Sequence, residues 1–227
     1  MRPRRMAAPA AVLALTLGLT ALAAAAMIGV YRDGMSTEGQ RGQMVKVSGS
    51  RCRADGLGKA LRVTIGKRTR ECGYRTPVLG RELEIAATER LLGSTPPTAR
   101  RRAFLALNLR GEGAPAGYQL VVYPLQRKVQ LRRVLADGSV RYLAIERDVA
   151  GVKGLEEANQ LRLRAIDAEG GCQVLGFVNG KQVVTATDES PTELNGRFSG
   201  FSIGAATQAK GIAASVDDVA VRVPSPF

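Results

Sequence analysis

Gln173-Val-Leu-Gly-Phe-Val-Asn-Gly-Lys-Gln-Val-Val-Thr-Ala-Thr187 is the stretch that decides the fold. Two short runs rich in β-branched residues flank Asn179-Gly180, the dipeptide that best tolerates the positive φ demanded at both centres of a two-residue hairpin turn. The spacing predicts strands over Gln173–Val178 and Gln182–Thr187. Toward the N-terminus, similar runs predict strands at Leu61–Ile65, Leu83–Thr88, Phe104–Arg110, Tyr118–Tyr123, Lys128–Val134, Val140–Glu146 and Gln160–Asp167. Toward the C-terminus, Gly196–Gly204 and Ala214–Val223 follow. Turn residues divide them, among them Thr95-Pro-Pro97, Gly111–Gly117, Asp137-Gly138 and Gly170-Gly171. Helical stretches are short: Gly151 and Gly154 interrupt Val149–Ala158, and Pro96-Pro97 splits Leu91–Phe104. Short, evenly spaced strands without a substantial helix specify an all-β domain, a two-sheet antiparallel sandwich of the jelly-roll kind.

Composition restricts the chemistry. The 227 residues contain no His, which excludes Ser-His-Asp and Cys-His catalysis and every His-based metal site. Three Cys are too few for a four-thiolate zinc site, and no metal or cofactor is expected. They allow three single bridges; proximity in sequence favours Cys52–Cys72, leaving Cys172 free or packed as a small apolar residue. Trp is absent, so a ligand cleft has only Tyr and Phe for aromatic surface. The formal charge is +13: Arg2, Arg4, Arg5 and Arg32 against Asp33 leave +3 in residues 1–34 and +10 beyond. Arginine forks suit carboxylates and phosphates, so an anionic lipid, envelope polymer or acidic glycan is the expected partner.

Met1-Arg-Pro-Arg-Arg5 precedes an uncharged stretch from Ala7 to Val30. At about 1.5 Å per residue its 24 residues span roughly 36 Å as a helix, enough for a bilayer core of about 30 Å. Residues 1–30 therefore read as an N-terminal hydrophobic helix, a signal anchor; Ala24 and Ala26 also offer an A-x-A pattern, which leaves a cleaved signal peptide open. Residues 31–50, rich in Gly, Ser and Gln, read as a linker or loose first strand, and residues 51–227 as the β-sandwich domain. Either reading places arginines inside and the domain outside, as a single-pass membrane protein or a secreted one, away from nucleic acid.

The ordered series Phe104-Leu-Ala-Leu-Asn-Leu-Arg110, Gly117-Tyr-Gln-Leu-Val-Val122, Val129-Gln-Leu-Arg-Arg133, Asn159-Gln-Leu-Arg-Leu163, Phe177-Val-Asn-Gly180, Asp188, Gly200-Phe201 and Ser215-Val-Asp-Asp-Val-Ala-Val221 resembles the concanavalin A-like lectin/glucanase superfamily. More narrowly, it resembles the laminin-G-like and keto-disaccharide-hydrolase-like jelly rolls of secreted bacterial proteins. The resemblance covers roughly Leu83 to Val223 and implies architecture more than activity, because lectins, adhesion modules and glucanases share the fold. The glucanases' acidic cluster has no counterpart: Glu82 and Glu84 share a strand face without a third carboxylate and read as a solvated edge. Related jelly rolls can hold a structural Ca²⁺ near the last strand, but two carboxylates do not make such a site, and Asp217-Asp218 reads as a turn or cap pair.

Alternation selects a candidate binding face. With Leu105, Leu107, Leu109, Leu120, Val122, Val129 and Leu131 inward, Asn108, Arg110, Gln119, Tyr123, Gln130 and Arg132 are expected on the outer face. If the three strands are neighbours, amides, guanidinia and a phenol together suit sugar hydroxyls or a carboxylated glycan. The functional expectation is an extracytoplasmic, non-catalytic module for glycan or an anionic envelope component. The alternatives are a glycoside-hydrolase-like enzyme and a structural or protein-interaction domain without a small ligand.

Overall fold

Asn179 (φ 50°) and Gly180 (φ 82°) form the expected turn, and Val178 pairs directly with Lys181. The Asn179 side chain fixes the turn from below: its Oδ1 accepts the Gln160 amide at 2.8 Å, and its Nδ2 donates to Gly151 O at 2.6 Å. The structure is a computed structural model and describes residues 27–35, 44–46, 49, 51–111, 116–191 and 196–224. Its strands are β1 (Met27–Asp33), β2 (Val45–Lys46), β3 (Cys52–Leu57), β4 (Ala60–Ile65), β5 (Glu71–Leu79), β6 (Leu83–Leu91), β7 (Ala103–Gly111), β8 (Gly117–Tyr123), β9 (Lys128–Val134), β10 (Val140–Glu146), β11 (Ala158–Ala168), β12 (Gly171–Val178), β13 (Lys181–Asp188), β14 (Phe198–Ala205) and β15 (Ala213–Pro224). One helical turn, α1 (Pro97–Arg100), starts behind Pro96, with Pro97 where its missing N–H costs nothing.

The strands form two antiparallel sheets. The eight-stranded sheet runs β13-β12-β11-β6-β15-β4-β3, with β1 beside the C-terminal half of β15; the seven-stranded sheet runs β10-β9-β8-β7-β14-β5-β2. Ile85, Leu163, Val174 and Val221 from one sheet meet Leu105, Leu107, Leu120, Leu131 and Ile203 from the other, all buried. On β12 the burial alternates without interruption, the period-2 signature of a strand with one face on a core.

All eleven expected strands are present, and four further ones were hidden in the sequence. Strand β5 contains Pro77, which argues against a strand; it is accommodated where the pairing with β14 slips between Phe198 and Gly200. Strand β1 was concealed because its first four residues, Met27–Val30, end the uncharged run. Met27–Val30 therefore belongs to the domain rather than to the hydrophobic segment, with Met27 opposite Pro224 and Asp33 opposite Val219. Of the linker or loose first strand expected at 31–50, strands β1 and β2 occupy part: Met35 and Met44 are core residues, and Asp33 accepts the Met35 amide at 2.7 Å and the Tyr31 hydroxyl at 2.9 Å. Residues 1–26, and with them the expected anchor or signal, lie outside the described residues. Among the described residues no helix is long and apolar enough to cross a membrane.

The sheets are tied together at opposite edges. Cys52 on β3 and Cys72 on β5 form the expected disulfide, Cα–Cα 5.8 Å, while Cys172 is free and buried. At the other edge Asp188 on β13 receives Arg133 from β9 and the Tyr118 hydroxyl from β8. Closing a loop of 20 residues should stabilise the domain by about 3 kcal/mol through the unfolded chain. A Cys52→Ser/Cys72→Ser variant should lose about that much in urea denaturation, and reductant should not destabilise it further.

Candidate functional site

Strands β7, β8 and β9 are neighbours, and Asn108, Gln119 and Arg132 stand in one cross-strand row. The face assembled by alternation therefore exists, but it is closed rather than open. Gln119, Tyr123 and Gln130 are buried, and the Arg132 side chain is 12% exposed. Arg132 Nε donates to Gln119 Oε1 at 2.6 Å, and Gln119 Nε2 donates to Glu71 Oε1 at 3.2 Å. Arg132 also reaches Glu71 Oε2 at 3.6 Å and stands 5.2 Å from the Phe104 ring. Glu71 lies on β5, so these contacts span β14 and β7. They do so because Ser202 and Gly204 of β14 and Ala106 of β7 offer so little bulk; a Cβ on Gly204 would lie 2.2 Å from Phe104 Cζ. Tyr123 packs edge-on against Phe104 and lies under Lys128 Nζ at 3.9 Å, and burial pushes its hydroxyl pKa up. Asn108 is half-buried and donates to Ser202 Oγ at 3.2 Å.

Arg110 departs from the expectation altogether. Its φ of 57° falls where β7 and β14 slip in register, which breaks the alternation and turns the side chain toward the space between the sheets. There it is 0% exposed, with Nη2 2.6 Å from Asp167 Oδ1 and Nε 3.0 Å from Arg81 O.

An open concavity lies on the outer face of the other sheet, across β1, β15, β6, β11 and β12, with a volume of about 900 Å³. Its floor is a cross-strand row: Phe177 opposite Arg162, Arg162 opposite Ala86, Ala86 opposite Ala220, Ala220 opposite Arg32. Two alanines in mid-row leave a trough between bulky ends. Thr88, Gln160 and Asp218 border it on one side and Arg222 on the other.

Beneath Arg222 sits Glu84, 1% exposed, which organises the cations. Its Oε2 accepts Arg164 Nε at 2.8 Å and Nη2 at 2.7 Å, and its Oε1 accepts Arg222 Nη1 at 2.8 Å. Arg162 approaches within 3.8 Å and lies over the Phe177 ring at 3.9 Å. The solvated edge expected for Glu82 and Glu84 is corrected here: Glu84 is an internal counter-ion, and Glu82 accepts the Asp167 amide at 3.1 Å. Asp217-Asp218 forms the bulge where β15 leaves β4 for β1, with Asp218 at φ 49° and its amide on Asp217 Oδ1 at 2.8 Å. Burial and the neighbouring Asp218 raise the Asp217 pKa. Among the described residues no three Asp, Glu or Cys side chains converge as a metal site would require. Arg162 and Arg222 were readable by parity, alternating with Leu161, Leu163, Val221 and Val223; their convergence across β6 was not.

No protein-family model and no curated protein matches the chain. Solved structures do. A Bacillus subtilis protein of unknown function with a galectin-like fold superposes with a TM-score of 0.60 at 13% identity, over 87% of this chain and 97% of that one. Carbohydrate-binding module CBM66 of Bacillus subtilis gives 0.56 at 15% identity over 78% and 93%. The Emp46p carbohydrate recognition domain gives 0.56 at 12% over 85% and 94%. Likeness at these identities establishes architecture, and the architecture is that of the galectin-like and carbohydrate-binding-module jelly rolls.

Proposed function

We propose that the domain is a glycan-binding module held outside the cytoplasm, and that its saccharide lies in the groove over Ala86 and Ala220. The observation that carries this reading is the groove itself: an open trough on a rigid sheet, bordered by forked guanidinium donors, a hydroxyl, an amide and the Phe177 ring. Those groups are the ones that grip sugar hydroxyls and stack on sugar faces. Resemblance to the concanavalin A-like superfamily, and a carbohydrate-binding module and a carbohydrate recognition domain among the structural neighbours, support it. Export is supported by the basic head and apolar run of residues 1–26, and by a disulfide that suits an oxidising compartment.

Two measurements test this. On a glycan array, Ala220→Trp should abolish the signal by filling the trough, since an outward strand position tolerates an aromatic residue; Gln130→Ala on the closed face should leave it intact. The reverse pattern would move the site to the seven-stranded sheet. A periplasm-dependent reporter fused after Phe227 should be active, and activity confined to a cytoplasmic reporter would refute export.

A further inference from the structure

The charges of the groove do not cancel, and the imbalance selects a class of ligand. Glu84 and Arg164 neutralise each other below the floor, and Arg32 pairs with Asp218 at 3.4 Å at the rim. Arg162 and Arg222 remain, a net charge of +2. Arg222 gives one N–H to Glu84. Arg162 rests its guanidinium carbon 3.9 Å from the Phe177 ring centre, and its Nη1 lies 3.8 Å from Glu84 Oε2, beyond hydrogen-bond distance. A guanidinium fixed by stacking and by a buried counter-ion is pre-organised, so binding an anion requires little further ordering of that side chain. Cations also recur across the sheet. Arg162 on β11 and Arg222 on β15 reach across β6 to the same Glu84 carboxylate, and Arg32 lies one strand beyond on β1.

We infer that the groove binds an acidic glycan lying across the strands, with successive anionic groups meeting Arg162, Arg222 and Arg32. This rests on the glycan-binding reading above and adds the charge class to it. A neutral chain could use Thr88 and Gln160, but it would leave uncompensated the +2 by which the groove's arginines exceed Glu84 and Asp218.

The test uses the full chain in detergent, with polygalacturonate and its methyl ester as probes, the same backbone with and without charge, and dextran sulfate as a competitor. Polygalacturonate should bind at least tenfold more tightly than the ester, and its affinity should fall severalfold between 50 and 300 mM salt, where screening shortens to about 6 Å. Arg162→Gln should weaken polygalacturonate about tenfold and the ester severalfold less, as expected when a charge-assisted hydrogen bond is lost from the acid and only a neutral one from the ester. Arg32→Gln, at a largely exposed side chain whose surface ion pair contributes little, should give a smaller loss with little change in melting temperature. Competition by dextran sulfate assigns the groove to sulfated chains, and its failure to compete assigns it to uronates. Equal, salt-insensitive binding of acid and ester overturns the charge inference while leaving the glycan reading standing. Binding of polygalacturonate that survives Ala220→Trp overturns the groove as its site.

Discussion

Asp188→Asn should destabilise the domain by about 3–5 kcal/mol, the usual result of leaving one member of a buried ion pair uncompensated. Asp188 is 0% and Arg133 2% exposed, and both carboxylate oxygens lie 3.0 Å from Arg133 Nη1. One oxygen also accepts the Tyr118 hydroxyl at 2.7 Å, and the other accepts the Ser190 amide at 3.2 Å. Burial pushes the Tyr118 hydroxyl pKa far up, which favours the protonated, donating form. The amide of Asn keeps the shape but supplies no charge for Arg133. Urea denaturation should show the loss, equivalent to a melting-temperature drop on the order of 10 °C for a domain of this size. Removing both charges in Asp188→Leu/Arg133→Met should recover much of it, since apolar replacements of whole buried pairs are often neutral. A single mutant within 1 kcal/mol of the parent would show that the pair is not desolvated.

Glu89→Gln should flatten the dependence of stability on pH. Glu89 faces inward from β6 in the parity of Ile85, Ala87 and Leu91 and is fully buried. Burial raises its pKa well above the ordinary value, an effect that the nearby Ala106 amide only partly offsets, and no basic side chain pairs with it among the described residues. The sign follows from linkage. The folded carboxyl holds its proton where the unfolded one has released it, so the contribution is complete below the unfolded pKa of about 4.5 and is lost as pH rises toward the folded value. The slope is at most about 1.4 kcal/mol per pH unit. Denaturation of parent and Glu89→Gln from pH 5 to pH 9 should give curves that diverge upward in favour of the variant. Parallel curves would mean that Glu89 ionises freely in the fold.

The contrast between the two faces shows what alternation reveals and what it hides. Period-2 patterning located β7, β8 and β9 and put Asn108, Gln119 and Arg132 on one side, because a strand's side-chain direction is a local property. Their exposure is not local. It depends on small residues on β14 and on Glu71 of β5, whose Pro77 masked the strand. Arg110 was misplaced because a single left-handed residue resets the parity, and Arg rarely announces such a conformation. The groove depended on β1 joining β15 from nearly the far end of the chain, and the apolar first half of β1 continues the preceding run without alternation to recognise. The Cys52–Cys72 bridge was legible because its partners are close in sequence and bracket one hairpin.

Strand β1 has one further consequence. It supplies the Arg32 side of the groove, and Met27 follows directly on the segment that would tether the chain. If the groove binds a ligand as proposed, docking of β1 on β15 and occupancy of the groove are thermodynamically linked, each favouring the other by the same free energy. A ligand that touches β1, at a hundred times its dissociation constant, would hold the strand in place by up to about 2.7 kcal/mol. Reciprocally, tension on the residues before Met27 would lower affinity, so that a tether strained in the wrong direction would loosen the grip of the domain on what it holds.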